Sequence, residues 1–215
     1  NTLKIWDEIE NCTFKEDKLC FLYHFNTGFP FLEGGCRVLI PHVECIPRNA
    51  DAKAGLGHQF VMDDPVDNAP EQVFLYVPKA DEAGNTFAAV VNDRLGLAMC
   101  IRWNVKEIPF ITQWKTIASG DYAMALEPCN AGFQSREEAH AQVLPPMGKH
   151  VNNYSLSILD GKDAIAALDF RVNPFARSSL AIGPNTRVPL GAKLSLPWII
   201  TAALSSNLIE VPSSR

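Results

Sequence analysis

The sequence predicts an all-β protein, an antiparallel β-sandwich. Two observations lead to this fold class. Apolar and polar residues alternate with a period of two along the first three quarters of the chain, and Pro and Gly separate these short runs. Patterns typical of helices are sparse. Many short strands joined by turn residues are typical of sandwiches and barrels, and 215 residues, 47% of them hydrophobic, suffice for a substantial core.

The clearest strand covers residues 97–105, where large apolar residues occupy the odd positions. Residues 72–77 and 86–91 are rich in β-branched and aromatic side chains. The turn Ala83-Gly84-Asn85 between these two runs predicts that they form a hairpin. Further alternating runs are residues 121–126 and the segment that places Tyr154, Leu156 and Ile158 on one face.

The two ends of the chain differ from this pattern. Strand-like sequence begins at Leu3 without a lead-in, so we expect the beginning of the domain to be missing before Asn1. Beyond about residue 169, prolines and serines are scattered without sustained alternation. We therefore expect residues 1–169 to form the sandwich and residues 170–215 to be an extension for which the sequence predicts no regular structure.

Composition excludes several classes of function. Nineteen basic against 24 acidic residues give a net charge of −5, opposite to the excess that a phosphate-tracking surface shows, so no nucleic-acid partner is expected. No signal-peptide pattern and no apolar run of membrane-spanning length is present, so no membrane partner is expected. The six cysteines lack C-x-x-C or zinc-type spacing, which predicts no metal site and a reducing, cytoplasmic compartment.

The first candidate site residue is His24, in an aromatic run that ends with Gly28 and Pro30. In a strand, His24 and Asn26 point to the same face. An imidazole titrates near neutral pH and can donate a proton to a bound ligand. The alternative is a core histidine whose ring nitrogens bond to the backbone.

The second candidate is Glu127. Alternation places it on the face opposite Met124 and Leu126 and beside Ala123 and Ala125, whose small side chains leave space next to the carboxylate. A carboxylate in such a place acts as a general base when its surroundings tune its pKa. The alternative is a solvent-exposed glutamate on an edge strand.

A third candidate region is the segment Gln113-Trp114-Lys115, in which an aromatic residue stands between an amide and an ammonium group. Aromatic rings beside hydrogen-bonding groups suit sugars, which present apolar C–H faces and hydroxyl edges. The alternative is a partly buried tryptophan with a satisfied indole N–H. Arg48 is a candidate to meet an anion, or else to pair with Asp51.

Five segments occur in one order along the chain: LYHFNTGFP (residues 22–30), IPR (46–48), EQV (71–73), TQWK (112–115) and GDYAMALEPCN (120–130). Together they resemble the aldose 1-epimerase-like proteins of the galactose mutarotase superfamily, in particular its DUF4432 branch. The resemblance covers about residues 3–160. Residues 3–11 resemble the strand that leads to the histidine motif near the middle of such proteins, which places earlier strands before residue 1.

The resemblance implies a large antiparallel β-sandwich with a sugar-binding cleft on one concave sheet. It implies that His24 protonates the ring oxygen while Glu127 takes the proton of the anomeric hydroxyl, so that the ring opens and recloses on the other face. Asn26 is then expected to orient the histidine or a hydroxyl. Arg48, Gln113, Trp114 and Lys115 are expected to bind substrate. Neither a metal nor an organic cofactor is expected, and the partner is a small-molecule sugar.

Two other functions stay open at this point. One is a carbohydrate-binding protein on the same scaffold that does not turn the sugar over, and the other is a fragment without activity of its own. The sequence also leaves open which sugar is bound and whether it is phosphorylated, with Arg48 and Lys115 as candidate anion partners. The oligomeric state is not predicted.

Overall fold

Two five-stranded sheets face each other across the main core. The structure, a computed structural model, describes residues 1–136 and 141–172, without the side chains of residues 170 and 171. In chain order its elements are β1 (Thr2–Glu10), β2 (Asp17–Lys18), β3 (Phe25–Thr27), β4 (Arg37–Leu39), β5 (His42–Pro47), α1 (Ala50–Ala54), β6 (Gln72–Pro78), β7 (Asn85–Asn92), β8 (Leu97–Asn104), β9 (Phe110–Thr116), β10 (Ala123–Cys129), β11 (Val143–Leu144), β12 (Lys149–Asp160) and α2 (Lys162–Val172).

The strands are arranged as an antiparallel sandwich, which confirms the predicted fold class. The first sheet has the order β1-β12-β8-β7-β4, and the second has the order β3-β10-β9-β6-β5. The short strands β2 and β11 pair with each other. Every pairing between these strands is antiparallel, as expected for a sandwich built from short strands and turns.

Side-chain alternation on β8 fills the core as predicted. Met99, Ile101 and Trp103 point between the sheets and join a cluster to which β6 and β10 also contribute. The indole N–H of Trp103 donates a 2.9 Å hydrogen bond to the carbonyl of Ile108, so the largest of these side chains is buried without an unsatisfied donor. Tyr154 of β12 packs against the same cluster.

The helix α2 covers part of the outer face of the first sheet. Its Ile165 and Leu168 form a second apolar cluster with small residues of β8 that include Ala98 and Cys100, both fully buried. This explains why β8 is buried on both faces along much of its length although its alternation is that of a half-buried strand. The sequence had not predicted this helix, because only Ile165 and Leu168 are buried among its described side chains, and two apolar positions make a weak helical pattern.

The predicted hairpin of residues 72–77 and 86–91 is wrong. β6 lies in the second sheet between β5 and β9, whereas β7 lies in the first sheet between β4 and β8. The turn after β6 therefore carries the chain from one sheet to the other. Its carboxylate Asp81 accepts hydrogen bonds from the backbone N–H groups of Ala83 and Asn85. Such a turn reverses the chain in either arrangement, so turn residues do not decide between a hairpin and a crossing.

The predicted division between residues 169 and 170 falls inside α2, and the remainder of the predicted extension, from residue 173 onward, lies outside the described residues. α1 is a single short turn of helix that begins at the N-cap Asn49, whose side chain accepts a hydrogen bond from the N–H of Ala52. Neither helix in the described part of the chain is long and apolar enough to cross a membrane. All six cysteines are free thiols.

We predict that Leu168→Ala lowers the free energy of unfolding by about 2–5 kcal/mol, because the side chain is 2% exposed and its removal leaves a cavity between α2 and the sheet. Urea unfolding followed by circular dichroism measures this change. Lys162→Ala, at an exposed position of the same helix, is the matched control. Equal stability of the two variants would show that α2 does not pack on the sheet.

Candidate active site

The candidate site lies on the outer face of the second sheet. On β10, Met124 and Leu126 are fully buried in the core between the sheets. Because successive side chains of a strand point to opposite faces, Ala125 and Glu127 are directed to the other face. The apolar residues of β10 therefore determine which way its carboxylate points.

His24 lies directly opposite Glu127 across the strand pair. The β3–β10 register pairs Phe25 with Leu126, and an isolated bridge pairs Leu22 with Cys129, so the residue opposite Glu127 is His24. The imidazole Nε2 lies 2.9 Å from Oε1 of Glu127. The structure thus brings together the two residues on which the proposed chemistry depends.

Burial differs between the two partners. The Glu127 side chain is 7% exposed, whereas that of His24 is 47% exposed. Burial raises the pKa of Glu127, and the positive charges of His24 and Arg48 act in the opposite direction. A carboxyl group with a raised pKa at the base of the site, in contact with a solvent-accessible imidazole, forms an acid–base pair that a small molecule can approach from outside.

Trp114, Arg48 and Glu71 form a second polar group on the same face. In the register of the sheet, Trp114 stands between Ala125 on β10 and Val73 on β6, one row away from Glu127. One carboxylate oxygen of Glu71 accepts a 2.8 Å hydrogen bond from the indole N–H of Trp114, and the other accepts one from Arg48. These two donors lower the pKa of Glu71.

The ring of Trp114 lies next to the imidazole, with 6.3 Å between the two ring centroids. Its indole N–H donates to Glu71, which agrees with the alternative of a partly buried tryptophan with a satisfied N–H. The residue is nevertheless half-buried and lies beside His24 and Glu127, so its ring also lines the site. Arg48 pairs with Glu71 rather than with Asp51. Both residues therefore meet at Glu71, for which the sequence had predicted no role.

Two further expectations concern Asn26 and the alanines of β10. Asn26 lies on the same face as His24, but its side chain is exposed and makes no hydrogen bond within the described part of the chain, so nothing shows it orienting the imidazole. Ala125 is fully buried rather than bordering an open space, since the neighbouring strands place Asn26 and Trp114 on either side of it. Ala123, further along the strand, is half-buried.

Gln113 and Lys115 point away from the pair, into the core side of the sheet. The Gln113 amide donates to the carbonyl of Gln59 at 2.6 Å and accepts from the hydroxyl of Tyr76 at 2.7 Å. The Lys115 ammonium donates to the carbonyl of Val61 at 2.7 Å, and burial lowers the pKa of this lysine. The structure therefore does not bring these two side chains together with His24 and Glu127.

Thr112 and Cys129 complete the surroundings of the carboxylate. Thr112 of β9 is the cross-strand partner of Glu127 and is buried, and its hydroxyl lies 3.6 Å from the sulfur of Cys129. Burial raises the pKa of Cys129 to about 11, which keeps this cysteine a neutral thiol. No group of three or more His, Cys, Asp or Glu side chains with metal-binding geometry occurs among the described residues.

The sequence contained one signal that could have identified Glu71 as a site residue. Residues two positions apart in a strand share a face, so Glu71 lies on the same face as Val73 of β6. Val73 faces outward as the partner of Trp114, and Glu71 precedes it by two positions. The missing information was the direction of Val73, because β6 is apolar on both faces and its alternation does not reveal which face is outward.

The fold and the site together define a class of protein: an antiparallel β-sandwich that carries a histidine–glutamate pair on the outer face of one sheet. The chain belongs to the DUF4432 family, whose model, described as "Domain of unknown function (DUF4432)", matches residues 1–158. This confirms the resemblance drawn from the sequence motifs. No curated protein matches the sequence.

One solved structure is similar to most of the chain. The chain is similar to the crystal structure of a "putative aldose 1-epimerase" from Klebsiella pneumoniae subsp. pneumoniae, with 25% sequence identity and a TM-score of 0.75. That match covers 90% of this chain and 51% of the Klebsiella chain. The chain therefore spans about half the length of this structure.

Two other solved structures match less of the chain. A galactose mutarotase-like protein from Clostridium acetobutylicum has 18% identity and a TM-score of 0.49, over 73% of this chain and 52% of its own. A galactose mutarotase related enzyme from Lactobacillus acidophilus has 11% identity and a TM-score of 0.46, over 76% of this chain and 59% of its own.

We predict that Glu127→Gln becomes more stable relative to the unchanged protein as the pH rises from 4 to 7. A carboxyl group whose pKa is raised by folding contributes stability below its ordinary pKa of 4.5, and this contribution is lost as the pH rises through the raised value. The glutamine side chain does not titrate in this range, so the variant has no such pH-dependent loss of stability at position 127. Thermal unfolding across this pH range measures the difference.

Glu16→Gln, which replaces an exposed loop carboxylate, is the control for this comparison and should show no such trend. If the melting temperatures of Glu127→Gln and the unchanged protein differ by a constant amount over the whole range, Glu127 is not held in a surrounding that disfavours its ionised form.

Proposed function

We propose that the protein is a sugar mutarotase of the aldose 1-epimerase type, which interconverts the α and β anomers of an aldose. The observation that supports this most directly is the 2.9 Å contact between Nε2 of His24 and Oε1 of Glu127 on an accessible sheet face. Membership of the DUF4432 family and the similarity to the Klebsiella protein support the same class.

The reaction needs an acid and a base close together. In a cyclic aldose, the ring oxygen and the anomeric hydroxyl oxygen are bonded to the same carbon, so the two groups that exchange protons with them must be adjacent. Protonated His24 donates its Nε2 proton to the ring oxygen while the Glu127 carboxylate takes the proton of the anomeric hydroxyl. The bond from C1 to the ring oxygen breaks, and a C1 carbonyl forms.

Reclosure repeats these transfers in reverse. The open chain rotates about the bond between C1 and C2 and presents the other face of the carbonyl. Neutral His24 recovers its proton from the former ring hydroxyl as that oxygen attacks C1, and protonated Glu127 returns its proton to the carbonyl oxygen. Both side chains then stand in their starting states, and the two proton transfers require no electron carrier.

The environments of the two residues suit these roles. Burial moves the pKa of Glu127 upward, toward neutral pH, and a general base is most effective when its pKa lies near the working pH. His24 is accessible enough to meet a ring oxygen from the solvent side. The Trp114 ring, held by its hydrogen bond to Glu71, offers an aromatic surface for the C–H face of a sugar.

The charges around the pair favour an uncharged sugar as substrate. Arg48 is neutralised by Glu71, and Lys115 points to the opposite face of the sheet. The two cations that the sequence offered as phosphate partners are thus both engaged elsewhere. We infer that the substrate is a neutral aldose rather than a sugar phosphate.

We expect His24→Ala and Glu127→Gln each to reduce the rate of anomer interconversion by about 10²–10⁴-fold, the usual contribution of a positioned general acid or base. Time-resolved polarimetry with freshly dissolved α-glucose and α-galactose measures this rate against buffer alone. Glu16→Gln should retain the full rate, since this carboxylate is exposed on a loop.

The same assay separates the remaining functions. Saturable sugar binding without acceleration over buffer would favour a non-catalytic carbohydrate-binding protein. Acceleration that survives both substitutions would contradict the roles of His24 and Glu127. Neither binding nor acceleration in a cooperatively folded chain would contradict the proposal as a whole.

We further predict that the rate falls on the acid side at a pH above 4.5, the ordinary value of a glutamate, because the base must be ionised and burial raises the pKa of Glu127. A pH profile of kcat/KM from polarimetry measures the midpoint of this fall. A midpoint at or below 4.5 would show that another carboxylate, or none, acts as the base.

A further inference from the structure

A groove crosses the outer face of the first sheet, beside the part that α2 covers. It has a volume of about 940 Å³, within the range typical of ligand pockets. This face is separated from the candidate active site by both sheets and by the core between them. Nothing in the proposed mutarotase reaction uses this groove.

The register of the sheet gives the floor of the groove as two adjacent rows of four side chains. One row runs across the strands as Lys4, Ser155, Arg102 and Phe87. Trp6 and Asn153 pair in the neighbouring row, as do Asn104 and Asn85, and continuing the β12–β8 register by one residue joins these two pairs. Four strands at their usual spacing extend over about 14 Å. The floor is therefore polar across β1, β12 and β8, with its two cations at Lys4 on β1 and Arg102 on β8.

Three cationic side chains that line the groove have no partner among the described residues. Lys4, Lys79 and Arg102 form no ion pair and no side-chain hydrogen bond among the described residues, and the hydroxyl of Ser155 has no described partner either. Lys4, Ser155 and Arg102 stand in one row, so a cation, a hydroxyl and a second cation face the same space.

The acidic residues of the lining are already engaged with amide groups. Asp81 accepts from the backbone N–H groups of its own turn, and these bonds lower its pKa. Glu107 accepts a 2.7 Å hydrogen bond from the backbone N–H of Asn153. Positive charge without a partner therefore remains in the groove of a chain whose net charge is −5.

An aromatic surface stands beside these cations. Trp6 occupies the position two residues from Lys4 on the same face of β1, and it is 64% exposed. An exposed indole next to amides and a hydroxyl suits the C–H face and hydroxyl edge of a sugar, and lysine with arginine suits a carboxylate or phosphate. One groove offers both kinds of contact.

We propose that this groove is a second carbohydrate site, selective for a saccharide that bears a negative charge. The sugar ring lies against Trp6, and its carboxylate or phosphate lies between Lys4 and Arg102 near the hydroxyl of Ser155. The proposal is independent of the mutarotase reaction, because it shares no residue with the pair of His24 and Glu127.

Isothermal titration calorimetry on the full chain at low ionic strength tests the proposal, with digalacturonate and glucose 6-phosphate as probes. We expect at least one of them to bind, and Arg102→Ala to weaken its Kd about tenfold or more, as the loss of a charge-assisted hydrogen bond does. Trp6→Ala should weaken the same binding. Comparing the two probes decides between a carboxylate and a phosphate ester.

Two controls and a second test variant make the outcome decisive. Lys15→Ala, an exposed cation on the loop after β1, should leave binding unchanged. His24→Ala should also leave it unchanged, which distinguishes this groove from the candidate active site. Lys4→Ala, at an exposed strand position, repeats the test if Arg102→Ala folds poorly.

The proposal is overturned if neither acidic sugar binds more tightly than glucose, or if binding survives both Arg102→Ala and Lys4→Ala. It is also overturned if inorganic phosphate and acetate bind as tightly as the acidic sugars, since the groove would then recognise charge alone. Loss of binding in His24→Ala would assign it to the other face.

Discussion

The register between β3 and β10 is the constraint on which the candidate active site depends. It places His24 opposite Glu127, while Met124 and Leu126 fill the core from the other face of the same strand. A slip of one residue would exchange the faces, burying the carboxylate among apolar side chains. The apolar residues of β10 thus hold the acid–base pair in place through the backbone that they share with it.

The site contains a buried carboxylate, whose ionised form is unfavourable, and positively charged neighbours that partly compensate for this. Burial disfavours the ionised form of Glu127, and the nearby positive charges of His24 and Arg48 offset part of this cost. Arg48 is in turn paired with Glu71, which also holds the indole of Trp114. The arrangement keeps a buried carboxylate beside an aromatic ring, with the charge of Arg48 balanced by that of Glu71.

The outer face of the first sheet has two parts of different character. Where β8 carries the small residues Ala98 and Cys100, α2 packs closely and the face is closed. Where β8 and β12 carry Arg102 and Ser155, the face is polar and forms a groove. The change from small side chains to a long cationic one along β8 thereby separates the part of this face that packs against α2 from the part that stays open as a groove.

The sequence by itself predicted the fold class, several of the longer strands and the family resemblance, because alternation and motif order are local properties of the chain. It predicted the strand face of His24 and that of Glu127 separately, and the register between β3 and β10 brought the two side chains onto one face. Tertiary structure decided which strands pair. β6 and β7 lie in different sheets, although the turn between them suggested a hairpin. It also turned Gln113 inward and Trp114 outward, against their polarity, because the buried amide finds Gln59 and Tyr76 as partners. These partners lie far away in sequence, and only the folded chain brings them within hydrogen-bonding distance.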